Sequence, residues 1–234
     1  MSLAQVAGLL ADPTRAAFCL ALLDGRAWTA GELARQAGVA PPTASEHLTR
    51  LIAGGLLTEE RQGRHRYVRL AGPAVATLIE DLSSFRPDQA APTGLRESAR
   101  ASAEGRARTC YDHLAGHLGV AVTDALLDRG LLADATGLGL TPDGVAWLAG
   151  LGVDVAALKG SRPIVRACLD WTERRIHLAG AVGAALCRTA FERGWIERIG
   201  TGRALRVTPG GRQALRDLLA LELPAPRPRP SGPA

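Results

Sequence analysis

"TAGELARQAGVAPPTASEHLTRLIAGG", Thr29 to Gly55, decides how this chain is read. Thr29 and Glu32 have the T-x-x-E form of a capping box, which opens a short helix by satisfying free amides of its first turn. That helix ends at Gly38, and three residues later Pro41 and Pro42 open a second one where a missing amide costs nothing. Leu48 and Leu51 supply its core side. Two short helices joined by a tight glycine turn form a helix-turn-helix.

The flanks extend the same unit. "ADPTRAAFCLALLDG", from Ala11, begins with Asp12 as N-cap and Pro13 at the first helical position. Ala16, Cys19, Leu20, Leu22 and Leu23 then recur with helical periodicity until Gly25. "GLLTEERQGRHRYVRL", from Gly55, sets β-forming residues on either side of Gln62-Gly63. Leu57–Arg61 and His65–Leu70 are therefore predicted to pair as a hairpin with its tip near Gly63. A last helix from about Pro73 to Phe85 carries Val75, Leu78, Ile79 and Leu82 on one side.

A length of 234 residues favours two small domains over one large one. Hydrophobic residues make up 47%, yet no run reaches the length of a membrane span, and Met1 to Leu10 lacks the cationic start of a signal peptide. A soluble, cytoplasmic protein is expected. Cys19, Cys110, Cys168 and Cys187 are unclustered and read as thiols of a reducing compartment, not as a disulfide framework. The net charge is +5, and its distribution is informative. Residues 1–84 hold eight arginines and eight acids, but "RQGRHRYVR", residues 61–69, holds four of those arginines and no acid. The positive charge is focused on the predicted hairpin, as a polyanionic partner requires.

Helices, glycine turn, helix, basic wing and helix, with "LADPTR" at their start and "EHLTRLIAGGLL" within, resemble the ArsR/SmtB family of winged-helix repressors over residues 3–85. The resemblance implies a homodimer whose two recognition helices enter successive major grooves of a pseudo-palindromic operator, with half-sites roughly 34 Å apart. It implies a regulator, not an enzyme. Pro42, Thr43, Ser45, Glu46 and His47 at the start of the recognition helix, with Arg50 one turn on, then face DNA, and Arg61, Arg64, His65 and Arg66 of the wing contact phosphates or the minor groove. At the family's familiar sensor sites the sequence departs from the pattern. Where arsenic and lead sensors carry a cysteine pair, this chain has "TAG", Thr29 to Gly31. Where zinc sensors carry carboxylates and histidines on the last helix, it has Glu80 and Asp81 alone.

"FRPDQAAPTG" marks a linker at residues 85–94. The chain divides into a DNA-binding domain at 1–85, a linker and connecting helix at 86–106, an effector or dimerisation domain at 107–222 and a proline-rich tail at 223–234. The expected fold class is mostly α with short β-hairpins, a winged helix-turn-helix followed by a duplicated helix-hairpin-helix. The duplication is read from "HLAGHLGVAVTDALLDRGLL" (from His113) and "HLAGAVGAALCRTAFERGWI" (from His177), each leading to a Thr-Pro helix start. Residues 109–129 and 168–193 are expected to be long helices packed on each other through Gly116, Gly119, Gly180 and Gly183.

In helical register Cys110, His113 and His117 share one face, and Cys168, with Asp170 or His177, is available from the partner helix. Thiolate and imidazole suit a borderline divalent metal such as zinc, so Cys110, His113, His117 and Cys168 are the candidate ligands. Three other readings stand beside this one: simple core packing, a thiol redox switch, and an organic ligand lined by Tyr111, Trp171 and Trp195. A further alternative makes the chain a thiol-redox or ligand-sensing protein whose winged helix binds protein instead of DNA.

Overall fold

The computed structural model describes residues 2–224 apart from 63–64, 85–94, 136, 159, 161 and 201. The linker at 85–94, the hairpin tip with Gly63 and Arg64, and the tail beyond 224 lie outside the described residues.

The N-terminal half runs α1 (Leu3–Leu10), α2 (Pro13–Ala21), a 3-10 turn (Leu22–Asp24), β1 (Trp28–Thr29), α3 (Ala30–Ala37), α4 (Pro41–Ala53), β2 (Leu57–Gln62), β3 (His65–Leu70) and α5 (Pro73–Ser84). Local chemistry sets the boundaries. Asp12 Oδ1 accepts from the Arg15 amide at 2.9 Å, and Glu32 Oε2 accepts from the Thr29 amide at 2.7 Å while Thr29 Oγ1 accepts from the Glu32 amide. Gly38 adopts φ 67°, which a side chain would disfavour, and so turns α3 into α4. Phe18, Leu22, Leu33, Leu48, Leu51 and Val68 are buried together, and each apolar side chain removed from water contributes roughly 1.5–3 kcal/mol. Strand order is β1-β3-β2, so the β2–β3 hairpin is tied to the helices through β1. This is a winged helix-turn-helix.

The C-terminal half runs α6 (Leu95–Arg106), β4 (Arg108–Cys110), β5 (His113–Ala115), α7 (Gly116–Asp128), β6 (Leu132–Ala133), β7 (Gly139–Leu140), α8 (Pro142–Gly150), β8 (Arg166–Leu169), β9 (Ile176–Ala179), α9 (Gly180–Glu192), β10 (Ile196–Arg198), β11 (Leu205–Val207) and α10 (Pro209–Leu219). The expected long helices at 109–129 and 168–193 are corrected: each begins only at the glycine of "HLAG", and the residues before it form a β-hairpin. The first hairpin turns at Tyr111 and Asp112, with Tyr111 in the left-handed region at φ 55°. Gly116 and Gly180, at φ 71° and 83°, then swing the chain from strand to helix.

The two hairpin-helix units pack crosswise. α7 lies against β9, α9 lies against β5, and β5 meets β9. Leu118, Leu126, Leu148, Leu178, Val182 and Leu205 form the core around them. Several contacts between described residues join this half to the winged helix. Tyr111 packs against the N-terminal core, Arg198 Nη2 donates to the Asp24 carbonyl at 3.0 Å, and Arg166 stands 3.6 Å from Glu80 and 3.7 Å from Asp81. No single described helix is long and apolar enough to cross a membrane.

Candidate metal centre

The crossed hairpins bring four chemical groups to one point. In β4–β5 Cys110 is the register partner of His113, and in β8–β9 Cys168 is the register partner of His177. Residues directly opposite on antiparallel strands project to the same face, so each hairpin presents one sulfur and one imidazole together. Because β5 meets β9, the two pairs converge. Ligand atoms of Cys110, His113, Cys168 and His177 all lie within 4.8 Å of one another, and all four residues are buried.

The imidazoles meet through their Nε2 atoms at 3.1 Å. Two nitrogens bound to one tetrahedral zinc at 2.0–2.1 Å stand about 3.3 Å apart, so the observed spacing already approximates that of shared ligands. Each ring turns its other nitrogen to a carboxylate. His113 Nδ1 lies 3.4 Å from Asp112, and His177 Nδ1 lies 3.4 Å from Asp170. Carboxylates behind histidine ligands fix the ring orientation and strengthen the facing nitrogen as a donor.

Those carboxylates are themselves held. Arg162 donates to both oxygens of Asp112. Asp170, fully buried, accepts from Arg108 Nη2 at 2.9 Å, the Gly116 amide at 2.7 Å and Thr172 Oγ1 at 2.6 Å. Arg175, five residues past Asp170, pairs elsewhere, with Asp124. Burial disfavours the charged form of each aspartate but is outweighed. Hydrogen bonds from His113 and Arg162 bring Asp112 down to about 2, and Arg108, Thr172 and the Gly116 amide hold Asp170 well below the usual carboxylate range. Burial also opposes charge on both imidazoles. Asp112 and Cys110 overcome it and lift His113 to about 9, while burial and the facing His113 depress His177 to about 3. The neighbouring Cys168 and burial raise the Cys110 thiol well above its ordinary value.

Of the ligands expected from sequence, Cys110, His113 and Cys168 meet, and His117 does not. With Gly116 opening α7, His117 lies past the hairpin; it is half exposed and sits 3.5 Å from Glu173. His177 takes the fourth place. Its signal was in the repeat, where His177 stands in the position of His113 at the head of "HLAG". Gly183 gives His113 room, since a Cβ there would come 3.3 Å from His113 Cβ; a Cβ on Gly119 would stand at an ordinary 3.6 Å from His177 Cβ and collide instead with the Leu114 carbonyl. Cys19 and Cys187 stand apart in the two cores, and burial pushes each thiol up to about 12. Tyr111, Trp171 and Trp195 have separate neighbours: Tyr111 packs on the winged helix, Trp171 stacks on Arg108 and Trp195 on Arg193.

On the winged helix, Pro42, Thr43, Ser45, Glu46 and Arg50 of α4 and Arg61 of β2 are exposed. His47 is not free, because it is tucked against α2 with Nδ1 3.4 Å from Arg15 Nη1 and 3.7 Å from Asp12. Glu46 is paired with Arg50 at 2.6 Å, which neutralises the acid that sits awkwardly on this face. Arg66 is held by Glu59 across the hairpin at 2.5 Å. Arg64 and the His65 side chain lie outside the described residues.

Residues 10–60 match the helix-turn-helix domain family. The chain is 39% identical to the HTH-type transcriptional regulator YdfF of Bacillus subtilis over 224 residues, covering 95% of this chain and 99% of that protein. It is 33% identical over 108 residues to the HTH-type transcriptional regulator KmtR of Mycobacterium tuberculosis, covering 42% of this chain and 82% of the relative. Among solved structures, the cadmium metal-sensor CMTR of Mycobacterium tuberculosis is 32% identical, covering 39% of this chain and 97% of that one, with a TM-score of 0.31. The chain is a transcriptional regulator with a winged helix-turn-helix DNA-binding domain, and it belongs with the HTH-type transcriptional regulators.

Proposed function

We propose that this regulator is a metal-responsive repressor, binding operator DNA as a homodimer and reading a divalent metal of borderline softness at Cys110, His113, Cys168 and His177. The observation that carries the reading is the convergence of two sulfurs and two imidazoles within 4.8 Å, with a carboxylate behind each ring. Two thiolates and two neutral imidazoles neutralise a dication and match the tetrahedral preference of zinc. Two apolar cavities reaching into the C-terminal core hold about 10 Å³ each, room for one water molecule, which disfavours an organic effector there.

A second copy of the chain suits α1. This helix, "LAQVAGLL", is mostly apolar yet buries none of its residues, and Leu3 and Leu82 of α5 stay 85% and 50% exposed. A dimer through these helices would present two α4 helices to successive major grooves. Two hairpin-helix-hairpin-helix runs in the same order, residues 108–150 and 166–219, support reading the C-terminal half as a duplication whose crossed packing creates the site.

The test is elemental analysis and Co2+ titration of reduced protein, followed by affinity for a duplex selected from a random-sequence pool. One ion per chain, lost in Cys110→Ser and Cys168→Ser, and a metal-dependent change in duplex affinity are expected. A chain that binds the duplex identically with and without metal is not a metal sensor.

A further inference from the structure

We infer that Glu80 of α5 is a fifth donor to the ion, through which the metal grips the DNA-binding half of the chain. The inference rests on the metal assignment above and specifies how that site regulates.

Glu80 belongs to the winged helix, yet its carboxylate faces the other half. Its Oε2 lies 3.9 Å from Cys168 Sγ, one of the four ligand atoms, and accepts the thiol's hydrogen bond. The residue is only 9% exposed. Its Oε1 is buried with no hydrogen-bond partner, a costly state for a carboxylate oxygen that has no other use. Arg166, at 3.6 Å, supplies the countercharge that a fifth, anionic donor requires once two thiolates have neutralised the dication.

The donor set also selects its ion. Sulfur, nitrogen and a carboxylate oxygen together suit a borderline divalent ion able to expand from four to five ligands, such as zinc or cobalt, over a monovalent soft ion that needs thiolates alone. Ala76 and Ile79, one turn and one residue before Glu80, are buried in the winged-helix core. An ion bonded to Glu80 and to both hairpins therefore ties α5 to the C-terminal half and biases its position relative to α4. That differential bonding is what a coupling free energy between metal and DNA requires.

The experiment compares the full-length wild type with Glu80→Gln, which keeps size, and Glu80→Asp, which keeps the carboxylate. Each is loaded with Co2+, assayed by Zn2+ competition against a chromophoric chelator, and assayed for duplex affinity with and without Zn2+. In Glu80→Gln the thiolate-to-cobalt band should persist while the visible ligand-field bands intensify, as five ligands become four. Zn2+ affinity should fall about 10-fold or more, and the metal-dependent change in duplex affinity should shrink toward none. Glu80→Asp should recover part of both, and it carries the test if Glu80→Gln fails to fold. Wild-type spectrum, affinity and DNA response in the two variants overturn the role of Glu80 while leaving the four-ligand site standing. Absence of Co2+ uptake by the wild type overturns both.

Discussion

His113 and His177, 64 residues apart in the chain, face each other Nε2 to Nε2 at 3.1 Å with a carboxylate behind each ring. Neither hairpin makes this arrangement alone. The four groups meet only when the two hairpin-helix units are packed crosswise, so the proposed metal binding and that packing would be linked equilibria.

The two histidines nearest in kind should behave differently. His177→Ala removes a ligand and should weaken Zn2+ binding by more than the roughly 10–100-fold that loss of an outer partner costs. His117→Ala, half exposed beside Glu173, should bind as tightly as the wild type. Chelator competition measures both, and equal effects would return His117 to the ligand set.

Asp170 stands 3.4 Å from His177 Nδ1 and also neutralises Arg108, all three at 0% exposure. Asp170→Asn should therefore lose metal affinity and also stability, because a buried cation left without its partner costs about 3–5 kcal/mol. The double variant Arg108→Met, Asp170→Leu should cost less than the single variants Arg108→Met and Asp170→Leu combined. Thermal unfolding of the four metal-free proteins completes the cycle.

The winged helix was legible from sequence because its signals are local. Asp12, the Thr29–Glu32 box, Gly38 and Pro41 each act within three or four residues, and the structure uses them as read. The stretch from Cys110 to His117, "CYDHLAGH", was harder. Its Cys110, His113 and His117 have helical spacing, and the turn that makes it a hairpin rests on Tyr111, a non-glycine residue at φ 55°, without the Asn-Gly or Asp-Gly that announces such turns. Tertiary contact pays for that strain, since Tyr111 packs on the winged helix. The crossing of β5 with β9 depends on contacts between distant segments, which no local pattern reports. Repetition was the available clue, and it pointed to His177 over His117.

Gly183 tests that crossing. A Cβ there would meet the Leu178 carbonyl at 2.6 Å and His113 Cβ at 3.3 Å. Backbone cannot yield as a side chain does, so Gly183→Ala should destabilise the fold by about 1–3 kcal/mol and displace His113. Gly150, with nothing near an added Cβ, is the control, and Gly150→Ala should leave Zn2+ affinity unchanged.

The Asp12 cap gives a pH signature. Its pKa is lowered first by the Arg15 amide that it accepts. A depressed native pKa means stabilisation that is fully present above the unfolded value of about 3.9 and is lost as pH falls through the native value. Asp12→Ala should thus cost about 1 kcal/mol at neutral pH, with the difference from wild type shrinking below pH 4. Denaturant unfolding at pH 7 and pH 3 measures it, and a cost independent of pH would remove the charged cap from the account.

On the face of α4 proposed to meet DNA, Glu46 and Arg50 form an exposed pair at 2.6 Å, and surface pairs of this kind contribute little to stability. Their importance lies in binding. Glu46 occupies a guanidinium that a phosphate would otherwise claim, so Glu46→Gln should tighten binding to non-specific duplex and steepen the salt dependence by up to about 0.9 in log K against log salt, the increment for one phosphate contact. Arg61→Ala should flatten it by a similar amount. Because the two act on separate phosphates, the double variant should return near the wild-type slope while remaining less selective among sequences. Fluorescence anisotropy across a salt series reads all four proteins, and unchanged slopes in both single variants would move the DNA contact away from α4 and the wing.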